Sequence, residues 1–297
     1  MFDRRHTMIA FISAAFLCAG PAAAQEKIKV VATFSILADF VRNVGGDRVE
    51  AASLVGANSD AHVYAPSPAD AKTLADAKVV FVNGLGLEGW MTRLVKASGT
   101  KAPMIVATKD IKPLKMEEHG HAETDPHAWQ SVANAKIYVA NIRDGMIAAD
   151  PAGKSVYEAN AKAYLVKLDA LETEVKTAIA NIPADRRKII STHDAFGYFG
   201  AAYGMQFIAP QGVSTESEAS AKDVAKIIRQ IKKQKIPAVF IENISDDRLM
   251  RRIASETGAK IGGALFSDAL TNKKGPAPTY IDMMRNNIKQ FSAALTS

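Results

Sequence analysis

The residues able to do chemistry in this chain are few and unevenly placed. Three of its six histidines, His119, His121 and His127, crowd into "EEHGHAETDPHAWQS" at residues 117–131, while His62 and His193 stand alone in polar loops or at the end of an apolar run. Asp268 follows "AKIGGALFS" and Glu242 closes "AVFIE". Imidazole and carboxylate groups bind divalent metals or move protons, and in open α/β sheets such groups act beyond the carboxyl ends of strands, where these residues fall. Each has a plainer reading as well. A lone loop histidine is commonly only solvated. Asp268 could cap a helix starting at Ala269, and Glu242 could pair with a basic residue or accept a hydrogen bond from His193 rather than bind metal. The pair His193-Asp194 invites a catalytic dyad, but no G-x-S-x-G nucleophile motif accompanies it.

The only cysteine, Cys18, lies within the first 24 residues, which read as a cleavable secretory signal: Arg4 and Arg5, an apolar run from Met8 to Leu17, then Ala22-Ala23-Ala24. Leu17 is a poor residue before a lipidated cysteine, so a lipid anchor is not expected and a periplasmic protein is. Without a thiolate in the mature chain, any metal site must be built from histidines and carboxylates. The formal charge of +6 is dispersed; its one dense run, Lys232, Lys233 and Lys235, has no interleaved aromatics and reads as a solvated helix end, so nucleic acid is not an expected partner.

The elements that must position these residues come in two similar sets. "IKVVATFSILADFVRNVGGDRV" through "AKVVFVNGLGLEGWMTRLV" shares its layout with "RKIISTHDAFGYFGAAYGMQF" through "IPAVFIENISDDRLMRRIA". Thr33 matches Thr192, Gly45 matches Gly204 and Val82 matches Ile241 at a constant offset of 159. The pattern predicts an α/β fold of two similar lobes, each a mostly parallel sheet flanked by helices, with an N-terminal lobe at 25–133 and a C-terminal lobe at 183–297. Residues 134–182 form the interlobe segment: a helix capped by Asn134 and ending near Ala149, then a second helix opened by Asp150-Pro151 and unbroken until Pro183. About 30 helical residues make a rigid rod of roughly 45 Å. Such a rod implies modest motion between the lobes rather than wide hinge closure.

The motifs "DAHVYAPSPADAKTLADAKVVFVNGLGLE", "DPHAWQSVANAKIYVANI", "STHDAFGYFGAAYGM" and "LFSDAL" together resemble the TroA-like, or cluster 9, solute-binding receptors of bacterial ABC importers for zinc and manganese. The resemblance runs over essentially the whole chain after the leader. It implies metal ligation by His62, His127, His193 and Asp268, with Glu242 beside the site, and a membrane permease as partner. A monomer is expected, and a periplasmic metal chaperone is a further partner left open. In the manganese branch the third ligand position is commonly Glu; here it is His193. Three imidazoles and one carboxylate suit Zn(II) at four-coordinate geometry better than Mn(II), which favours oxygen-rich sites. Zn(II) is therefore the expected cargo, with Mn(II) the alternative. Zinc carriers of this kind often bear a His-rich loop where His119 and His121 stand, which implies a short, mobile loop aiding metal loading. Four protein ligands leave no open position for a reactive water, so no enzyme is expected. The alternative of another class is a zinc hydrolase using His62, His127 and His193 with Glu242 as base. Because imidazole must be neutral to ligate, affinity is expected to fall as pH drops through about 6.

Overall fold

The computed structural model describes residues 26–118 and 121–296. The leader and Cys18 lie outside the described residues, as does His119. The N-terminal lobe begins with β1 (Ile28–Phe34), α1 (Ser35–Gly45) and β2 (Val49–Val55), then α2 (Pro68–Ala75), β3 (Val79–Val82), α3 (Met91–Ser98) and β4 (Met104–Val106). Its strands are near-continuous apolar runs, as expected where both faces of a parallel sheet are covered by helices. The hairpin β5 (Lys115–Glu118) and β6 (His121–Thr124) follows, pairing antiparallel. Backbone pairing thus flanks the expected loop on both sides, and its centre lies outside the described residues. Of His121 only this backbone pairing is described.

The interlobe segment consists of α4 (Val132–Ala149) and α5 (Lys154–Ala180). Two details differ from expectation. The N-cap of α4 is Ser131, whose side chain accepts from the backbone N–H of Asn134 at 3.5 Å, while Asn134 turns its own amide back to the Ala128 carbonyl at 3.1 Å. Asp150 caps nothing with its side chain, and Pro151 opens a short 3-10 turn, Pro151–Gly153, before α5 starts. Its carboxylate is taken instead by Arg48 at 2.7 Å and the Tyr157 hydroxyl at 2.6 Å, which pins the helix junction to the first lobe. The 27 residues of α5 make a rod of about 40 Å. Its buried stripe of Tyr157, Ala161, Tyr164, Leu168, Leu171, Val175 and Ile179 repeats every three or four residues and packs on α1, α4 and the C-terminal helix.

The second lobe contains β7 (Lys188–Ile190), α6 (Gly197–Tyr203), β8 (Gln206–Ile208), α7 (Ala221–Gln234), β9 (Ala238–Glu242), α8 (Arg248–Thr257) and β10 (Lys260–Leu265), and closes with α9 (Tyr280–Leu295). The first sheet runs β2-β1-β3-β4 and the second β10-β9-β7-β8, all strands parallel. Read in reverse, the second order is the first one repeated strand for strand, so the sequence repeat is a repeat of topology. The glycine landmark shifts slightly. Gly204 itself is the left-handed cap of α6 (φ 75°), whereas Gly45 is the last residue of α1 and Gly46 takes the positive φ of 55°.

One apolar core runs through the first lobe, the interlobe helices and the inner side of the second lobe. A separate, smaller cluster (Ile190, Ile227, Ile231, Ile236, Val239, Met250, Ile253 and Ala254) lies beneath α7 and α8. The carboxyl ends of β2, β7 and β10 face the seam between the lobes, which is where the chemistry collects.

Candidate metal centre

Each candidate side chain leaves a strand end by a short, hydrogen-bonded turn. His62 follows β2; its N–H donates to Asp60 Oδ1 at 2.8 Å, and Trp90 Nε1 holds the preceding carbonyl, that of Ala61, at 2.8 Å. His127 follows β6 and precedes a 3-10 turn, Ala128–Gln130. Asp125 Oδ1 accepts from both the His127 backbone N–H, at 2.9 Å, and its ring Nδ1, at 2.8 Å. His193 lies three residues past β7 rather than within it. Glu242 at the end of β9 accepts from His193 Nδ1 at 2.6 Å through Oε2, while its Oε1 takes the backbone N–H groups of Thr192 at 2.8 Å and His193 at 3.1 Å. Asp268 follows β10 in an irregular segment; no helix starts at Ala269, so Asp268 is not a helix cap. Trp129 Nε1 and Gln130 Nε2 both donate to the adjacent Ser267 carbonyl, at 2.9 and 2.7 Å, tying the Asp268 loop to the His127 turn.

These turns bring four residues together. One ligand atom from each of His62, His127, His193 and Asp268 lies within 4.8 Å of all the others. With Nδ1 of His127 and His193 engaged by carboxylates, both rings aim Nε2 inward. His62 Nε2 is 3.2 Å from His127 Nε2 and 3.2 Å from Asp268 Oδ2, and His193 Nε2 is 3.1 Å from the same oxygen. A tetrahedral shell with bonds of about 2.0–2.1 Å sets its donors about 3.3 Å apart. His127, His193 and Asp268 are fully buried, and His62 is 7% exposed.

The electrostatics are those of a cation site. Burial works against charge on His127, but the Asp268 and Asp125 carboxylates outweigh it and push its pKa from 6.5 up to about 9. His193 is likewise held well above the usual imidazole range by Glu242 and Asp268 despite burial. Burial would raise the Asp268 carboxyl, yet His193 and His127 keep it well below the usual carboxylate range. Both Asp268 oxygens and His193 Nε2 are buried and make no well-formed hydrogen bond; they face only the cluster itself, Oδ2 at 3.1 Å from His193 Nε2 and 3.2 Å from His62 Nε2. Buried polar groups left unpaired cost about 1–3 kcal/mol each, and a divalent ion among these atoms would satisfy all three.

Glu242 sits behind His193, with both oxygens occupied by Thr192 and His193. It offers nothing to a water on the inner side of the rings, so the hydrolase alternative that required it as base loses that base. His119 lies outside the described residues, and the side chain of His121 is not described. Sequence reasoning missed Asp125, although a signal was present: the pattern Asp-x-His occurs at 60–62 and again at 125–127, and in both the aspartate takes the histidine's backbone N–H. Gly197, the first residue of α6, was missed too. A Cβ there would stand 2.4 Å from Asp125 Oδ2, so a larger residue would push on the carboxylate that orients His127.

The family described as "Zinc-uptake complex component A periplasmic" matches residues 30–294 of the chain. Manganese-binding lipoprotein MntA of Halalkalibacterium halodurans is 35% identical over 91% of this chain and 89% of its own length. Iron-binding protein YfeA of Yersinia pestis is 34% identical over 95% of this chain and 92% of its own. Among solved structures, the periplasmic zinc-binding protein TroA of Treponema pallidum superposes with a TM-score of 0.86 at 32% identity, covering 91% of this chain and all of that one. Three relatives, each covered nearly end to end, are named for three different metals.

Proposed function

Because this chain belongs to the zinc-uptake component A family, the metal-binding receptors of ABC importers, we propose that its cargo is Zn(II), held by His62, His127, His193 and Asp268. The observation that carries the reading is the convergence of three imidazole Nε2 atoms and one carboxylate within 4.8 Å, three of the four residues being fully buried. That donor set is nitrogen-rich and compact, as zinc prefers, and it closes the shell without an open position for water. Glu242 and Asp125 act behind the ligands, fixing the ring tautomers and raising the basicity of the inward nitrogens.

Manganese is the second reading, favoured by one feature: both oxygens of Asp268 face the histidine nitrogens, Oδ2 at 3.1 Å from His193 Nε2 and Oδ1 at 3.6 Å from His127 Nε2, so the carboxylate can offer two donors rather than one. A bidentate carboxylate suits the higher coordination number of Mn(II), whereas the Irving–Williams order still ranks zinc well above manganese at a site with three imidazoles. Competition separates the two. Apo-protein equilibrated with equimolar Zn(II) and Mn(II) and assayed by elemental analysis should retain zinc almost alone; retention of manganese in comparable amount would overturn the zinc assignment. Failure to bind either ion would overturn the receptor reading itself.

The partner that follows from the family is a membrane permease. No helix among the described residues is long and apolar enough to cross a membrane. Residues 1–24 act as a cleavable leader in this reading and deliver the chain to the periplasm. The relative MntA is named a lipoprotein; in this chain Leu17, a poor residue before a lipidated cysteine, precedes Cys18. Release at the permease requires separating His62 and His127 from His193 and Asp268. Bonds that cross this seam, among them Thr215 Oγ1 to Asp60 Oδ2 at 2.7 Å, Asn58 N to the Leu270 carbonyl at 2.9 Å and the Trp129 and Gln130 bonds to the Ser267 carbonyl, oppose that separation.

A further inference from the structure

The topological repeat makes a residue-level comparison between the lobes, and it falls on the site. The offset of 159 that pairs Val82 with Ile241 pairs the next residue, Asn83, with Glu242. Glu242 is the last residue of β9, and Asn83 directly follows the last residue of the equivalent strand, β3. Glu242 fixes His193 by its backbone and its ring. Asn83 is fully buried, and its side-chain Nδ2 donates to the Pro126 carbonyl at 2.9 Å. That carbonyl belongs to the peptide unit whose nitrogen is His127 N, and the N–H of the same unit is held by Asp125 Oδ1 at 2.9 Å. The peptide entering His127 is therefore gripped at both ends.

The grip is itself over-determined. Tyr138 donates its hydroxyl to Asn83 Oδ1, Thr108 Oγ1 donates to the Asn83 carbonyl at 2.6 Å, and the half-buried Glu88 carboxylate accepts the backbone N–H groups of Asn83 and Gly84 together with the hydroxyl of Thr33. Thr33 is the repeat partner of Thr192, whose N–H goes to Glu242. With every polar group on Asn83 engaged, its amide has one orientation available, and Nδ2 must face Pro126.

We propose that Asn83 is a positioning residue for the metal: it sets the His127 turn on the end of β3 and is the first lobe's neutral counterpart of Glu242. This rests on the metal-receptor reading. The test compares Asn83→Asp, which keeps the shape but puts an oxygen against the Pro126 carbonyl, with Thr108→Val, which removes a buried hydrogen bond from Asn83 without touching Pro126. Two readouts are taken on the full chain: the zinc dissociation rate into excess chelator, and the visible ligand-field bands of the cobalt(II)-loaded protein, which report geometry at the ion. Asn83→Asp should speed zinc release about tenfold or more, the range typical of residues that orient a ligand, and alter the cobalt spectrum. Thr108→Val should lower the melting temperature yet leave release within about twofold and the spectrum unchanged. Should Asn83→Asp not fold, Asn83→Ser is read the same way, since its hydroxyl falls short of Pro126. A folded Asn83 variant with wild-type release and spectrum overturns the proposal, as does a Thr108 variant that perturbs both equally. A wild-type protein that binds neither zinc nor cobalt would instead sink the receptor reading.

Discussion

His127 and His193 face each other across the site, and their rings are oriented by the same device from very different distances along the chain. Each turns Nε2 inward because a buried carboxylate accepts at Nδ1. For His127 that carboxylate is Asp125, two residues away, in a turn that also takes its backbone N–H. For His193 it is Glu242, 49 residues away, brought alongside because β7 and β9 are neighbours in the sheet. The first arrangement is local and survives as long as the turn does. The second exists only while the second lobe's sheet is intact, and that lobe's outer face rests on a small core of its own. The two halves of the site thus have equal geometry and unequal support.

Asp268 belongs to this comparison as the group both halves share, 3.2 Å from His62 and 3.1 Å from His193. Its replacement by alanine should have the largest effect, since it removes the anion that balances the buried imidazoles. Zinc affinity by chelator competition is expected to fall more than about a hundredfold, beyond the tenfold-to-hundredfold range usual for outer partners. A smaller loss would mean that the three histidines suffice. Next come the two supporting carboxylates. Glu242→Gln should cost nearer a hundredfold and Asp125→Asn nearer tenfold, because Glu242 also holds Thr192 N and His193 N, whereas the Asp125 turn has Asn83 at its other end. Equal losses in the same titration would erase the asymmetry between the halves.

Proton linkage comes third. His127 has a folded pKa raised from 6.5 to about 9, so its contribution to the stability of the metal-free protein is fully present below 6.5 and is lost as pH rises through 9. Thermal melts of the apo-protein should show stability declining across that window. Zinc must displace the protons on His127 and His193, so calorimetry at pH 7.5 in buffers of different ionisation enthalpy should report on the order of two protons released. The affinity expected from the sequence to fall through about pH 6 should instead weaken steadily from about 9 downward, because the carboxylates around these rings hold their protons. The smallest effect belongs to the outer core. Ile231→Val should cost about 0.5–1.5 kcal/mol in denaturant unfolding and leave zinc affinity within about twofold.

The local half of this picture was legible in the sequence, and the distant half was not. Periodicity and the offset of 159 led to two lobes of equivalent strands because a parallel sheet covered on both faces leaves continuous apolar runs. At Asn134 a near neighbour decided the cap, since Ser131 takes the role and the Ala128 carbonyl draws the Asn134 amide away; at Asp150, which does precede Pro151 at the start of a 3-10 turn, the remote Arg48 claims the carboxylate. Asp125 was within reach of sequence reasoning through the repeated Asp-x-His.

What the sequence determined by itself was the type of chemistry available and the strand ends from which it would come, since residue identity and hydrophobic period are local properties. Only the tertiary structure decided that the four candidates share one point and that Asp268 is no helix cap. It also decided that Glu242 spends both oxygens on His193 and its turn while Asn83 donates to the Pro126 carbonyl ahead of His127. Those facts depend on which strands lie side by side and on how two lobes close over a buried carboxylate. Distances of 3 Å between residues far apart in the chain are set by packing, and no local pattern encodes them.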